Sequence, residues 1–207
     1  MYPAIKAYCD KLAGEFQYIP KDRRSLLKRI TDFIAQQLSK GVPVNLVYIC
    51  THNSRRSHFG QVWAKVAGAY YSIPLVNTYS GGTEATTFNS HSISAMVRAG
   101  FKISPVNSEE NRLYDVYYDG ERPPIECFSK TFDDPKNPQT DFAAIMTCGE
   151  AEENCPFIPG ATLRIVTTYE DPGSFDGSPL RNAKYDERCR QIALETFYAF
   201  SLVNSNS

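Results

Sequence analysis

A short apolar run that ends in a cysteine constrains the fold more than any other feature of this sequence. Residues 44–50 read VNLVYIC. A continuous run of this length is typical of a strand buried on both faces of a parallel sheet. The stretch SRRSHFGQVWAKVAG follows it and has apolar residues at helical spacing, ending near Gly68. The sequence therefore predicts that a strand gives way to a helix just after Cys50.

Three later stretches repeat the strand pattern. PLVNTYSGG predicts a second strand that enters a glycine turn, and residues 142–148 and 162–169 predict a third and a fourth. NSHSISAMVRAG and the long stretch AKYDERCRQIALETFYAFSLV predict helices. Strands that alternate with helices are typical of a parallel sheet with helices on both faces. We therefore expect an α/β fold with a central parallel sheet of about four strands.

Two regions depart from this alternation. Residues 1–42 predict a helical extension, because SLLKRITDFIAQQL has an amphipathic stripe that Gly41 and Pro43 end. Residues 112–138 are rich in proline, aspartate and tyrosine and predict an insertion with an extra strand or hairpin. We expect the whole chain, 1–207, to be a single domain with its α/β core at 44–203.

Composition excludes some classes of function. The formal net charge of −1 gives no overall attraction to nucleic acid or to an anionic membrane, so any anion binding must be local. No apolar run approaches the roughly 18–20 residues that a membrane-spanning helix needs. Lys6 and Asp10 interrupt the first stretch, which therefore does not resemble a signal peptide. We expect a cytoplasmic protein without nucleic-acid or membrane partners.

The six cysteines could form a disulfide scaffold, but the length of the chain and its α/β pattern favour free thiols. A zinc site is also disfavoured. The gap between Cys148 and Cys155 is wider than in a usual zinc knuckle, and no histidine is near it. We expect no metal and no tightly bound cofactor.

The loop between the first strand and its helix predicts an oxyanion site. Backbone N–H groups and the helix dipole at such a junction favour anions. Arg56 could bind two oxyanion oxygens, and the positive surroundings favour a thiolate at Cys50, to which Ser57 could donate a hydrogen bond. The alternative is a buried cysteine beside two solvated arginines.

CTHNSRRS resembles the phosphate loop of the low-molecular-weight protein tyrosine phosphatases and of the thioredoxin-coupled arsenate reductases that share their fold. YSGGTEATTFNSHSISAMVRAGFKIS resembles the second strand and helix of the same superfamily. The resemblance implies that Cys50 is the nucleophile, Arg56 binds the oxyanion and Ser57 stabilises the thiolate. We call residues 50–57 the oxyanion loop; its connecting residues are Thr51, His52, Asn53, Ser54 and Arg55, of which Asn53 would hold the loop's shape.

The resemblance also implies a general acid, at an Asp-Pro pair that matches Asp171 and Pro172. A carboxylic acid near the scissile bond can protonate the leaving oxygen. Asp176 is a nearby competitor, and an acidic turn without a catalytic role is the alternative.

CGEAEENCP, residues 148–156, resembles the segment of the reductases that carries a disulfide relay. The resemblance implies that Cys148 attacks Cys50, that Cys155 then attacks Cys148, and that thioredoxin reduces the resulting disulfide. A structural turn with two incidental thiols is the alternative.

The sequence favours a thiol-dependent arsenate reductase. Tyrosine phosphatases of this fold place aromatic residues after the Asp-Pro pair, whereas here Gly173 and Ser174 follow it. We expect a small oxyanion such as phosphate, sulfate or arsenate in the loop, and thioredoxin as a partner. A phosphatase acting on phosphotyrosine or a small phosphoester is the second hypothesis. An oxyanion-binding module without turnover is the third, which the combination of Cys50, Arg56 and Asp171 disfavours.

Overall fold

The structure is a computed structural model that describes residues 1–154 and 157–203. No helix in this part of the chain is both long enough and apolar enough to cross a membrane. The α-helices are α1 (Pro3–Ala13), α2 (Lys21–Ser39), α3 (Arg56–Tyr70), α4 (Ser90–Arg98), α5 (Gly149–Asn154) and α6 (Arg181–Ser201). The strands are β1 (Val44–Cys50), β2 (Val76–Gly82), β3 (Lys102–Pro105), β4 (Tyr114–Tyr117), β5 (Ile125–Cys127), β6 (Phe142–Met146) and β7 (Ala161–Val166).

Four strands form a parallel sheet in the order β2-β1-β6-β7. From β1 the chain crosses to β2 on one side, whereas β6 lies on the other side of β1 and leads on to β7. The topological switch point therefore lies between β1 and β6. Ligands of open α/β sheets bind beyond the carboxyl ends of the strands at such a point. Cys50 ends β1 and Cys148 follows β6, so this fold places both cysteines at the switch point.

The expected fold class, with about four parallel strands, is confirmed. The ends of two strands differ from the prediction. The third strand ends at Met146 rather than at residue 148, because the chain turns at Thr147 and Cys148 into α5. The fourth strand ends at Val166 rather than at residue 169, and Thr167 N–H donates back to Met146 O.

The two faces of the parallel sheet are covered unequally. Helices α2, α3 and α6 pack over one face, where Trp63 is fully buried. The buried side chains of α1, among them Ile5 and Leu12, belong to the same apolar cluster. The other face is covered by the short α5 together with Ile158 and Phe132. The cover on this second face is therefore thinner than on the first.

Strands β3, β4 and β5 form a separate antiparallel sheet in which β4 and β5 are a hairpin. The N-terminus is joined to it, since Tyr2 N–H donates to Tyr118 O and the Met1 amine pairs with Asp119. Beyond the hairpin the chain returns to the parallel sheet, where Thr131 bridges to Gly82. This return brings residues 128–132 beside the oxyanion loop.

Candidate active site

The oxyanion loop turns its carbonyl groups outward. The carbonyls of Cys50, Thr51 and Ser54 accept hydrogen bonds of 2.9–3.2 Å from backbone N–H groups in the segment 83–89. His52 O accepts from Ser129 Oγ at 2.8 Å, and from a threonine in the same segment. These bonds fix the path of the loop from outside.

The N–H groups of the loop are left available. Those of residues 51–56 donate to no acceptor among the residues that the structure describes. Arg56 Nε is buried and likewise has no acceptor in the described part of the chain. Free N–H groups at the start of a helix, beside a guanidinium, form a site for a tetrahedral anion.

Asn53 links the loop to two other parts of the protein. Its backbone has φ of 44°, a left-handed conformation that asparagine tolerates better than most residues. Its side-chain amide donates to Ser57 Oγ at 2.8 Å, and its Oδ1 accepts from Lys130 N–H at 2.9 Å. One buried side chain therefore connects the loop, the first turn of α3 and the segment after the hairpin.

Cys50 lies at the floor of the loop with its sulfur 3.1 Å from Ser57 Oγ, and both groups are buried. Because Ser57 Oγ already accepts from Asn53, its hydroxyl hydrogen is free to donate to the sulfur. A hydrogen bond of this kind stabilises a thiolate more than a thiol.

The glycine turn after β2 is required by close backbone contact. A Cβ atom at Gly82 would lie 2.6 Å from Thr51 O and 2.8 Å from Asn53 N. Any side chain there would displace the oxyanion loop. The YSGG sequence therefore makes room for the loop.

Arg56 is held at the loop by the segment after β7. Its guanidinium donates to Tyr169 O at 2.8 Å and to Asp171 Oδ2 at 2.7 Å. The other carboxylate oxygen of Asp171 accepts from Gly173 N–H at 2.9 Å. Asp171 is therefore fixed beside the oxyanion arginine. Asp176, its competitor, instead accepts a hydrogen bond from the Tyr185 hydroxyl.

Arg55 covers Gly173. Its Nε donates to the Tyr185 hydroxyl at 2.9 Å, and a Cβ at Gly173 would lie 2.8 Å from Arg55 Cζ. The same guanidinium lies 3.4 Å from Asp176 and 3.8 Å from Asp171. Glycine after the Asp-Pro pair thus accommodates a guanidinium where an aromatic side chain would collide with it.

The side chains of His52 and Ser54 contact the segment after β2. His52 Nε2 lies 4.0 Å from a carboxylate oxygen of Glu84, and Ser54 Oγ donates to Thr87 O at 2.7 Å. Both side chains thus contact the rim of the site rather than Cys50.

Cys148 lies beside the loop and is 1% exposed. Its sulfur is 3.4 Å from Thr51 Oγ1 and 3.4 Å from Ala151 N, which donates to it. The Thr51 hydroxyl is also 3.0 Å from a carboxylate oxygen of Glu150. Thr51 directly follows Cys50, so Cys148 contacts the neighbour of the predicted nucleophile. Cys155, the other predicted relay cysteine, lies outside the described residues.

The other cysteines of the described residues differ chemically from these two. Cys9, Cys127 and Cys189 are free thiols, and burial raises the pKa of each to about 12. They stay protonated near neutral pH, where a thiol is a poor nucleophile. Among the described cysteines this leaves Cys50 and Cys148 at the site.

Comparison with known proteins gives related sequences and a related fold, although no family model matches the chain. An arsenate reductase from Bacillus licheniformis is 27% identical over 157 residues, which are 75% of this chain and 94% of that protein. One from Staphylococcus epidermidis is 26% identical over 156 residues, 73% of this chain and 94% of that protein. The structure of a low-molecular-weight phosphotyrosine phosphatase from Vibrio cholerae aligns with a TM-score of 0.53 at 12% identity, covering 78% of this chain and 95% of that one.

The chain is similar in sequence to arsenate reductases and shares the fold of a low-molecular-weight phosphotyrosine phosphatase. These matches confirm the resemblance seen in the sequence and indicate an enzyme of this kind. The two sequence relatives named here are arsenate reductases. At 12% identity, the structural match to the phosphatase shows a shared fold only.

Four residues that the sequence did not single out also contact the site: Ser129, Lys130, Glu150 and Tyr185. Ser129 and Lys130 reach the loop from 77 positions away in the chain, so no local pattern marks them. Glu150 lies in the acidic stretch after Cys148, and that acidity was the available signal. Tyr185 is part of the apolar pattern of α6, which hides its contact with Arg55.

Proposed function

We propose that this protein is a thiol-dependent arsenate reductase that uses Cys50 as its nucleophile. One structural observation supports it above all: the Cys148 thiol lies 3.4 Å from Thr51 Oγ1, at the switch point where Cys50 faces the free N–H groups of the loop. The similarity to arsenate reductases over most of their length supports the same activity.

The first step forms a bond between sulfur and arsenic. The loop N–H groups and Arg56 bind arsenate, and the Cys50 thiolate, stabilised by Ser57, attacks the arsenic atom. One arsenate oxygen leaves as water after protonation, for which Asp171 is positioned beside Arg56. The product is a covalent cysteine–arsenate adduct, still at the oxidation state As(V).

The second step is the reduction. The Cys148 thiolate attacks the Cys50 sulfur, the sulfur–arsenic bond breaks, and its electron pair leaves with arsenic as arsenite, As(III). A Cys50–Cys148 disulfide remains. Cys155 then attacks Cys148, which releases Cys50 as a thiolate and leaves a Cys148–Cys155 disulfide. An external dithiol protein of the thioredoxin type reduces this disulfide and restores the enzyme.

A coupled assay tests the proposal. Purified protein is mixed with thioredoxin, thioredoxin reductase and NADPH, and NADPH oxidation is followed after arsenate is added. We expect arsenate-dependent oxidation that falls to background in Cys148→Ser and in Cys155→Ser. Cys127→Ser is the matched control, because that buried thiol has a pKa raised to about 12 and lies away from the loop. Equal activity of all three variants contradicts the relay.

Mass spectrometry of the intact protein provides a second readout. Arsenate treatment of Cys155→Ser is expected to trap the Cys50–Cys148 disulfide, detected as the loss of two hydrogen atoms and located by peptide mapping. The same treatment of Cys148→Ser is expected to leave the Cys50 thiol reduced. A disulfide that joins Cys50 to any other cysteine would exclude the proposed order.

Phosphomonoester hydrolysis is the second candidate function, and the contact between Asp171 and Arg56 favours it. A carboxyl group 2.7 Å from the oxyanion arginine can protonate the leaving oxygen of a phosphoester. Water would then hydrolyse the phosphocysteine. Rapid aryl-phosphate hydrolysis that survives Cys148→Ser and Cys155→Ser, without any response to arsenate, would assign the protein to this activity.

A further inference from the structure

A cavity of about 460 Å³ lies between β2, α3 and the β4–β5 hairpin. It shares no residue with the oxyanion loop, and Asn77 to Tyr79 of the edge strand β2 form one wall. Pro123 to Glu126 of the hairpin form the opposite wall. Its size falls within the range of small-molecule binding sites.

The cavity is basic, and one of its lysine residues is almost fully buried. Its charged side chains are those of Lys65, Lys130 and Lys136, with Glu126 as the one carboxylate. Lys130 is 5% exposed and forms no ion pair with a carboxylate among the described residues. Lys136 is paired with Glu126 at 3.2 Å, and Lys65 donates to Val76 O at 2.8 Å. Of these three lysines, Lys130 is the one whose ammonium group has no polar partner among the described residues.

Burying an unpaired charge is unfavourable, and the pKa values of the cavity lysines reflect this. Burial lowers the pKa of Lys130, and it also lowers the pKa of Lys65. An anion in the cavity would offset the cost, because a buried ammonium group is stable when it is paired.

The cavity also offers flat apolar surface. The Phe128 ring lies 4.4 Å from Lys130 Nζ and 5.1 Å from Lys136 Nζ, so both ammonium groups adjoin one aromatic ring. Pro123 and Pro124 add apolar surface nearby. A ligand that combines a ring with a negative group would contact both kinds of surface.

The edge of β2 adds hydrogen-bonding groups. The carbonyls of Val76 and Ser80 point away from β1 and accept from Lys65 and Asn137. Since N–H and C=O directions alternate along a parallel strand, the peptide groups of Thr78 point the same way. Neither the N–H nor the C=O group of Thr78 forms a hydrogen bond with a described residue on this side of the strand. The side chains of Lys65 and Asn137 cover the edge carbonyls on either side of Thr78, which fits a small molecule better than an added strand.

We infer that this cavity is a second ligand site, separate from the oxyanion loop, which binds a small organic anion with an aromatic ring. Lys130 pairs with the negative group and Phe128 packs against the ring. The inference does not depend on which reaction the oxyanion loop catalyses.

Titration of the full-length, ¹⁵N-labelled protein with benzoate tests the site by amide chemical shifts. Phosphate is kept in excess to occupy the oxyanion loop. We expect saturable shifts at Thr78, Phe128 and Lys130, and at least about tenfold weaker binding of benzamide, the neutral isostere. Acetate, which lacks the ring, is expected to bind more weakly than benzoate. Shifts confined to residues 51–56 that phosphate abolishes would place benzoate in the oxyanion loop and overturn the inference.

Two substitutions identify the charge partner. Lys130→Met keeps the length of the side chain and is expected to weaken benzoate at least about tenfold, equivalent to about 1.4 kcal/mol. Lys136→Met removes the more exposed ammonium group beside Phe128 and is expected to weaken benzoate to a smaller extent. Lys28→Met on α2, where the lysine is exposed and paired with Asp32, is the matched control.

Thermal melting checks that the variants are folded. If Lys130→Met does not fold, the ratio of benzoate to benzamide affinity and the effect of Lys136→Met decide the question. Equal affinities for benzoate and benzamide, or a benzoate affinity that no lysine substitution changes, would overturn the inference.

Discussion

Two connections meet at the switch point of the sheet, and each carries a cysteine where a strand gives way to a helix. The first joins β1 to α3 through residues 51–55, whereas the second joins β6 to α5 through residues 147–148 alone. Five residues are enough to wrap N–H groups around an anion, and two are not. We therefore propose that the first cysteine faces an anion site, whereas the second lies beside Thr51 at the edge of that site.

The hydrogen bonds of the two sulfurs reflect this difference. Cys50 is 3.1 Å from a serine hydroxyl and lies in a loop that ends in Arg56. Cys148 accepts from one N–H group and contacts Thr51, whose hydroxyl also binds the carboxylate of Glu150. A position at the end of a strand is thus insufficient for oxyanion chemistry. We propose that the length of the connection and the charge beside it decide which thiol attacks an anion and which attacks another sulfur.

The largest difference between the connections is expected in aryl-phosphate hydrolysis when each cysteine is replaced in turn by serine. Cys50→Ser should lower aryl-phosphate hydrolysis at least about a thousandfold, because the nucleophile is lost. Cys148→Ser should leave this hydrolysis within a few-fold of the native rate, since no disulfide forms during hydrolysis. Initial rates with an aryl phosphate measure both. A similar loss in the two variants would mean that the connections are not distinct in function.

The second effect tests whether Asp171 completes the first connection. Asp171→Asn should reduce kcat for aryl-phosphate hydrolysis about 10²–10⁴-fold, the range expected when a general acid is lost. Asp176→Asn is the matched control at the carboxylate that pairs with Tyr185 rather than with Arg56, and kcat should change little. Pre-steady-state kinetics would show whether the lost step is phosphocysteine formation. A larger effect of Asp176→Asn would reverse the assignment.

The third effect concerns the space around each connection. Gly82→Ala would place a methyl group 2.6 Å from Thr51 O, and we expect it to lower the free energy of unfolding by about 1–3 kcal/mol and to weaken phosphate binding. Gly149→Ala, at the first residue of α5 directly after the second connection, has no atom within 4 Å of the added methyl group and should be close to neutral. Denaturant unfolding and phosphate titration measure the difference. Equal stability of the two variants would show that the first connection is not tightly packed.

The smallest effect is on acid stability and comes from His58, in the first turn of α3 after the first connection. Burial lowers the pKa of this histidine to about 3, and Lys130 contributes to the shift. The unfolded chain binds a proton near pH 6.5 that the folded protein binds only near pH 3, so stability falls as the pH falls between these values. The loss at pH 5 relative to pH 7 is about 2 kcal/mol for this group.

Replacing the histidine should remove this pH dependence. We expect a shallower fall in His58→Gln than in the native protein, and an unchanged fall in His91→Gln, which alters a less buried histidine on α4. Urea unfolding at pH 7 and pH 5 measures both slopes. A native slope in His58→Gln would mean that another group controls acid stability.

Local patterns in the sequence predicted the first connection well. The strand, the loop and the start of the helix are contiguous, so their apolar spacing and the order of Cys50, Arg56 and Ser57 can be interpreted without knowledge of the rest of the chain. The same spacing placed the end of the third strand two residues too late, because an apolar run does not show where the chain turns out of the sheet into the next helix.

Contacts between distant segments could not be predicted in this way. The hydrogen bonds of Ser129 and Lys130 to the loop join residues 77 positions apart. Nothing in the residues around Arg55 indicates that its guanidinium lies against Gly173. The relay was predicted from a resemblance between segments, and the contact of Cys148 with Thr51 depends on how β6 pairs with β1.

The sequence by itself determined the periodicity of the strands and helices, the position of Cys50 before a helix and the residue types around it, since each of these depends on neighbouring residues. Only the tertiary structure decided that Cys148 lies beside Thr51, that Asp171 binds Arg56 and that Lys130 is buried without an ion pair to any described residue. Each of these results from the order and register of strands, and that order is set by burial across the whole core rather than by any one stretch of the chain.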